Sequence, residues 1–178
     1  MADIFTPAKR SEIMALVRNK NTSPERRLRS ALHRLGFRFR VCNSALPGSP
    51  DIILPKYHVT VFVHGCFWHS HECRKAKIPK DNSVYWTEKF EKNRNRDRDN
   101  IALLISLKWR VAIVWECSLK KKHLHKTVNV VSEWIDSSEE RFLDVGEDSI
   151  GFLVASHVCE CRTSDTRDID PETIREGN

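Results

Sequence analysis

The residues PGSPDIILPKYHVTVFVHGCFWHSHEC, Pro47 to Cys73, carry the reading of this chain. Asp51 follows Pro50 and leads into the apolar run Ile52, Ile53 and Leu54, which puts a carboxylate at the start of a buried strand. Proline at position 50 biases Ser49 toward extended backbone. Pro55 to Tyr57 reads as a short turn and His58 to Val63 as a second extended run. The two strands can then pair as a hairpin and return His64 to the neighbourhood of Asp51. One carboxylate and main-chain carbonyls suit a hard cation such as magnesium, although an acid at a strand edge is often no more than a surface residue.

The same stretch holds softer ligands. Cys66, His71 and Cys73 lie close together, and Cys117 follows at the end of a further apolar strand, completing the Cys₃His set of a closed tetrahedral zinc site. Thiolates and imidazole select such an ion over magnesium or calcium. These ligands do not follow C-x₂-C spacing, so unrelated buried cysteines remain the alternative. His64 and His69 fall outside the set, free to give or take a proton near neutral pH.

Outward from this stretch, 178 residues with 40% hydrophobic content describe one domain with a sizeable core. No repeat, low-complexity block or membrane-spanning run is visible. A formal charge of +6 and a pI near 9.1 favour a polyanionic partner such as DNA. Six cysteines without a signal peptide point to a reducing cytoplasm, where clustered Cys and His bind metal more often than they form disulfides. Cys42, Cys159 and Cys161 are left over as one buried thiol and two tail thiols.

On the N-terminal side, Thr6 and Pro7 start a helix in which Ile13, Met14, Leu16 and Val17 sit among Lys9, Arg10, Arg18 and Lys20. This basic amphipathic segment either packs Met14 and Val17 into the core or presses them as a wedge into a DNA minor groove. A second helix has Ser23 as N-cap and Pro24 at its first position, buries Leu28, Leu32 and Leu35 and stops at Gly36. Glu25 in its first turn suits simple capping. Phe37, Phe39 and Val41 alternate with arginines as a strand. Downstream, Ser83 to Leu107 forms a long helix whose charged middle, Lys89 to Asp99, is either a solvated face or a phosphate contact. Trp109 to Trp115 reads as a fully buried strand and Leu124 to Ile135 as a last helix, with Lys120 to His123 before it as solvated surface or phosphate contact. From Ser137 the sequence turns acidic and loses periodicity, apart from one candidate strand at Ile150 to Val158; residues 160 to 178 read as disordered. The expected fold is α/β (α+β), a small mixed sheet flanked by helices.

The strings PGSPD, VFVHGCFWHSHEC, NRNRDRDN and WRVAIVWEC together resemble the very-short-patch repair (Vsr) endonucleases, relatives of the PD-(D/E)xK nucleases, over residues 1 to 136. That resemblance implies a restriction-endonuclease-like core with a structural zinc site, and it leaves 137 to 178 as a divergent extension, partly disordered. It implies an enzyme of mismatch repair that nicks one DNA strand 5′ of the thymine in a T·G mismatch left by 5-methylcytosine deamination. Carried over to this chain, Asp51, His64, His69 and Glu25 are catalytic, Glu25 as an acid able to hold a metal-bound water. Asp51 and the main chain of Val63 hold Mg2+, where the family usually has threonine at the latter position. Cys66, His71, Cys73 and Cys117 hold Zn2+. Phe67, Trp68 and Trp86 insert beside the mismatched pair, and the segment 1 to 20, with Met14 and Val17, contacts DNA. The implied partners are double-stranded DNA with a T·G mismatch and a MutL-type mismatch-repair protein, with no membrane, for a monomer in the bacterial cytoplasm that is nucleoid-associated on DNA. Two alternatives stay open: Phe67 and Trp68 could pack around the zinc, and the chain could be a non-catalytic zinc-stabilised DNA-binding module.

Overall fold

A computed structural model of the chain describes residues 9, 12, 20–41, 45–73, 76 and 82–147. The expected hairpin is present. Ile52–Leu54 (β1) runs antiparallel to Val59–His64 (β2), with Ile52 opposite Val61 and Leu54 opposite Val59. A 3₁₀ turn at Pro55–Tyr57 joins them and closes on His58 in the left-handed region, at φ 52°. Ser49 departs from the extended backbone expected before a proline: its φ is 52°, because its N–H closes a turn onto the carbonyl of Leu46 at 3.1 Å. Gly48 beside it has φ 70°, and a Cβ there would lie 3.1 Å from Phe62 and 3.2 Å from Asn100, so the turn needs glycine for both conformation and space.

Arg110–Trp115 (β3) pairs parallel with β2, from Val59 opposite Arg110 to His64 opposite Trp115. Between them runs the crossover helix Ser83–Ser106, and after β3 come the helix Leu124–Ser137 and the strand Phe142–Val145 (β4), parallel to β3. With Ser23–Arg34 as the first described helix (α1), Ser83–Ser106 is α2 and Leu124–Ser137 is α3. The sheet order is β1-β2-β3-β4. The expected mixed sheet flanked by helices is therefore observed. Its last strand lies beyond residue 136, where sequence periodicity fades, because four residues are too short to display a period. Leu143 and Val145 are nonetheless fully buried.

Alternation along the strands divides the core into two layers. Val59, Val61, Ala112 and Val114 face α1 and α3, where they meet Leu28, Leu32, Val131 and Trp134. Phe62, Val111, Ile113 and Trp115 face α2, where they meet Ile101 and Leu104. His64 has the parity of Phe62, so it emerges on the α2 side at the carboxyl end of β2, an edge where open α/β sheets commonly build sites.

Three further expectations are corrected. Phe37 to Val41 does not form a strand; only Arg40 bridges β1, exchanging main-chain hydrogen bonds with Ile53 at 2.8 and 2.9 Å. Its partner is three residues long between the Gly48–Ser49 turn and Pro55, so there is no ladder to extend. Helix α1 is capped by Thr22 rather than Ser23, because the Glu25 carboxylate reaches back to the Thr22 N–H at 3.2 Å and hydroxyl at 2.6 Å. Leu35 follows the last helical residue and is exposed, while the chain turns at Gly36 with φ 94°. The expected N-terminal helix with Met14 and Val17 lies outside the described residues, apart from helical Lys9 and Glu12. Cys42, Cys159, Cys161 and the candidate strand at 150 to 158 also lie outside them. Among the described residues no helix is long and apolar enough to cross a membrane.

Candidate active site

Asp51 stands one residue before β1. Its own N–H bonds the Val61 carbonyl at 3.0 Å, while its Oδ2 accepts the N–H of Val63 at 2.8 Å. The side chain thus takes the place of the strand partner that the turn at Ser49 removes, and the carboxylate is locked against the end of β2. Burial pushes its pKa up to about 6, against the lowering effect of the Val63 N–H; the charge of Glu25 raises it further, while those of Arg29 and His69 lower it. A half-buried carboxylate with one backbone donor is well suited to a cation, because the cation restores the solvation that burial removed.

Glu25 lies across the same cavity, of about 1030 Å³, together with Lys20, His64, His69, Asp97 and Asn100. Its carboxylate is already occupied. It accepts from the N–H groups of Asn21 and Thr22, the Thr22 hydroxyl and, at 2.8 Å, the guanidinium of Arg29. Arg29 also donates to the Asp51 carbonyl at 3.1 Å, which ties α1 to the start of β1. The capping reading of Glu25 is therefore realised, at a position that also borders the Asp51 cavity.

The imidazoles of His64 and His69 stack face to face, 3.9 Å apart and within 7° of parallel. His69 Nδ1 pairs with Asp97 Oδ2 at 2.5 Å, and Arg96 donates to the other oxygen of Asp97 at 3.1 Å. Burial pushes the pKa of His64 down to about 3, helped by the charge of His69, so the two rings do not become cations together. Burial alone would raise Asp97; the hydrogen bond and charge of His69 outweigh it and hold the carboxyl below its usual range. The donor atoms of His64, His69 and Asp97 lie within 4.8 Å of one another. Parallel rings send their lone pairs alongside each other rather than to one point, and Nδ1 of His69 is engaged by Asp97. The set can exchange a proton through the imidazole nitrogens that Asp97 leaves open, and its three ligand atoms could also hold a metal ion.

The second cluster differs in kind. Cys66, His71, Cys73 and Cys117 bring one ligand atom each within 4.8 Å of the others, and Cys117 Sγ lies 3.6 Å from His71 Nδ1. Ligands around a tetrahedral zinc stand about 3.3–3.8 Å apart, so three sulfurs and one imidazole fit that ion. The Cys66 thiol bonds Cys117, which pushes Cys66 up and brings Cys117 down to about 6; the Glu147 N–H at 3.3 Å also favours the Cys117 thiolate. The Glu147 carboxylate in turn holds Lys120 at 2.6 Å, Lys122 at 3.2 Å and His123 at 3.2 Å. Lys120 and Lys122 of the lysine run are therefore paired with an acid from beyond β4.

The aromatics gather apart from the cysteines. Phe67 meets Trp68, Trp86 and Phe90 at centroid distances of 5.1–5.3 Å, and Tyr85 lies exposed against Trp86 at 5.4 Å. Asn93 of α2 donates to the Trp68 carbonyl at 2.9 Å. The ring stacked on the His71 ligand is Trp115, at 4.2 Å. Phe67 and Trp68 thus pack with α2 rather than around the Cys66, His71, Cys73 and Cys117 cluster.

The family model for DNA mismatch endonuclease Vsr matches residues 2–75. A type II nicking enzyme of Xanthomonas oryzae, V.XorIIP, is 49% identical over 119 residues, covering 67% of this chain and 88% of the relative. The type II nicking enzyme V.NmeAIP of Neisseria meningitidis is 47% identical, over 68% of this chain and 87% of its own length. The DNA mismatch endonuclease Vsr of Escherichia coli is 45% identical, over 67% and 77%. This chain belongs to the Vsr family.

Within this Vsr fold the residues anticipated from sequence fall into three neighbouring groups: Asp51, Val63 and Glu25; His64 and His69; and Phe67, Trp68 and Trp86. The four sulfur and imidazole ligands form the separate cluster. Asp97 was missed. It sits in the charged run Lys89 to Asp99, which reads as a solvated face, and nothing in that run marks which acid turns toward His69. Arg29, one of several arginines on α1, was also missed. Helical spacing alone, four residues after Glu25, was the available signal.

Proposed function

We propose that this chain nicks one strand of duplex DNA on the 5′ side of the thymine in a T·G mismatch and so starts the replacement of deaminated 5-methylcytosine. Family membership supports the strand-nicking chemistry. The observation that carries the site is the locked, desolvated Asp51 carboxylate facing the His64–His69–Asp97 array in one cavity. Asp51 and the main-chain carbonyl of Val63 would hold magnesium, which when bound supplies positive charge to the scissile phosphate and acidifies water. A carbonyl ligand makes the valine at 63 compatible with this role, since no side-chain hydroxyl is required. The four-ligand cluster would hold zinc, tying the loop after β2 to the end of β3.

His69 is the proton carrier in this scheme. Asp97 fixes its Nδ1, so that Nε2 is the atom left to exchange a proton with water or the leaving oxygen. His64, kept neutral by burial, stacks on His69 and limits its rotation. Glu25, already committed to Arg29 and the α1 cap, orients Arg29 on the Asp51 main chain and adds negative charge beside the cation position.

Phe67, Trp68 and Trp86 form a preassembled aromatic face that can replace base stacking at a mismatched step, which opens at lower cost than a paired one. Trp68→Ala is expected to weaken binding to T·G duplex about tenfold or more, at an unchanged zinc content and melting temperature. Early unfolding with zinc loss would instead make the ring a core residue.

The pH dependence follows from Asp51. Below about 6 the folded protein holds this carboxyl protonated, and a protonated carboxyl does not ligate a cation. At fixed, sub-saturating magnesium, nicking is expected to fall about tenfold per pH unit below that point. A rate that stays level from pH 7 to 5 would show that nicking does not depend on a carboxyl that ionises near 6, and would exclude Asp51 in that role. The deciding experiment is a nicking assay over a panel of mismatched duplexes, with and without magnesium. Specific binding without any magnesium-dependent nick would leave only a zinc-stabilised DNA-binding module.

A further inference from the structure

A second concavity, of about 390 Å³, lies along α1 and is lined by Ser23, Arg26, Arg27, Ser30, Arg34 and Leu124. The α1 positions repeat at three and four residues, so they form one stripe on the helix. Arg27 is engaged by the Leu119 carbonyl at 3.3 Å. Arg26 and Arg34 are exposed and, among the described residues, have no acidic partner. Several cations elsewhere are paired, since Lys120, Lys122 and His123 share Glu147, Arg96 and Arg98 have Asp97 and Asp99, and Arg29 has Glu25, while Lys89, Lys92 and Arg94 of α2, like Arg26 and Arg34, have no acidic partner among the described residues. Two uncompensated guanidiniums on a concave stripe, with the Ser30 hydroxyl between them, offer charge and hydrogen-bond donors to a polyanion.

The stripe begins in the same first turn of α1 that borders the Asp51 cavity. Pro24 and Glu25 border the Asp51 cavity, while their neighbours Ser23 and Arg26 border the groove. Arg26 and Arg34 are separated by about 12 Å along the helix axis, the rise of three to four nucleotides of a strand lying parallel to it. We propose that this groove binds backbone phosphates of the DNA strand as it leaves the nicking site, with Arg26 and Arg34 each neutralising one phosphate. The inference rests on DNA being the substrate, and it extends the footprint beyond the mismatch without reading bases.

The test is binding by fluorescence anisotropy in the absence of magnesium, on mismatched and fully paired duplexes, across a salt series. Arg26→Gln combined with Arg34→Gln is expected to lower the slope of log K against log salt by about 1.8 and to weaken binding about tenfold at low salt, equally on both duplexes. Ser30→Glu is a second variant that protects the fold, since an acid there pairs with Arg26 and Arg34 at helical spacing. With one carboxylate offsetting one of the two positive charges, it should lower the slope by about 0.9 at an unchanged melting temperature. An unchanged slope in both variants overturns the inference, as does a loss confined to the mismatched duplex. If the variants spare DNA binding but lose a polyglutamate peptide, the groove takes an acidic polypeptide and the inference fails. Wild-type protein that does not nick mismatched duplex in a parallel magnesium assay overturns the functional reading itself, independently of the slope.

Discussion

Asp51→Asn is expected to lower nicking about a thousandfold, equivalent to roughly 4 kcal/mol of transition-state stabilisation, while mismatch binding survives. Asparagine keeps the size of the side chain, and its Oδ1 can still accept the Val63 N–H that holds the end of β2. What it lacks is charge. The same change should not destabilise the fold. The pKa of Asp51 rises on folding from 3.8 to about 6, so its contribution to stability is most favourable below 3.8 and is lost as pH rises through 6. At neutral pH the buried charge opposes folding, and removing it should leave the melting temperature equal to or above wild type. Inactivity together with greater stability would identify a site kept strained for function. Nicking near the wild-type rate would remove Asp51 from the mechanism, and inactivity with early unfolding would mean that its role is structural.

Cys117→Ser is expected to act in the opposite sense, on the fold first. Cys117 is fully buried at the end of β3 and faces ligands from the loop that begins at Cys66. A bound ion would convert four weakly associated side chains into one crosslink between that loop and the sheet, and the binding free energy of such sites becomes folding free energy. Serine supplies a poor ligand and leaves the other thiols in an apolar layer with Phe62, Ile113 and Trp115. We expect zinc content, measured by elemental analysis, to fall from one ion per chain to well below one, and the melting temperature to drop by more than about 10 °C. His64 and His69 should lose their order with the loop, so nicking falls as a consequence. Wild-type protein that purifies without zinc, or a variant that melts like wild type, would exclude the structural role.

These two variants separate chemistry from scaffolding because the clusters adjoin without sharing a ligand. Trp115 lies between them: its ring stacks on His71 and meets the edge of His64 at 5.4 Å, while its N–H bonds Asp144 of β4 at 2.5 Å. Disorder at the cysteine and His71 cluster therefore has a direct steric route to the histidine pair, whereas removal of charge at Asp51 has none to the cysteines.

The sequence by itself determined the features that depend on neighbours in the chain. The hairpin from Asp51 to His64 was legible because strand, turn and strand follow one another within a few residues. The parity of β2 then separates Val63 from His64, one toward each layer. The grouping of Cys66, His71, Cys73 and Cys117 was legible from chemistry, since sulfur and imidazole in company suit so few partners. Helix α2 declared itself through Phe90, Ile101 and Leu104, and α1 through Leu28 and Leu32. Only the tertiary structure decided what depends on distant segments meeting. Asp97 becomes the partner of His69 because α2 crosses over the ends of the parallel strands, and one acid in a mixed-charge helix has no local mark that distinguishes it. Glu25 turned out to be bound by its own helix cap and Arg29, a balance between local and site interactions that spacing cannot weigh. Phe37 to Val41 had the alternation of a strand but lacked a partner of matching length, and β4 had a partner but was too short to show alternation. In both cases pairing was decided by the available edge, a property of the assembled sheet and not of the segment.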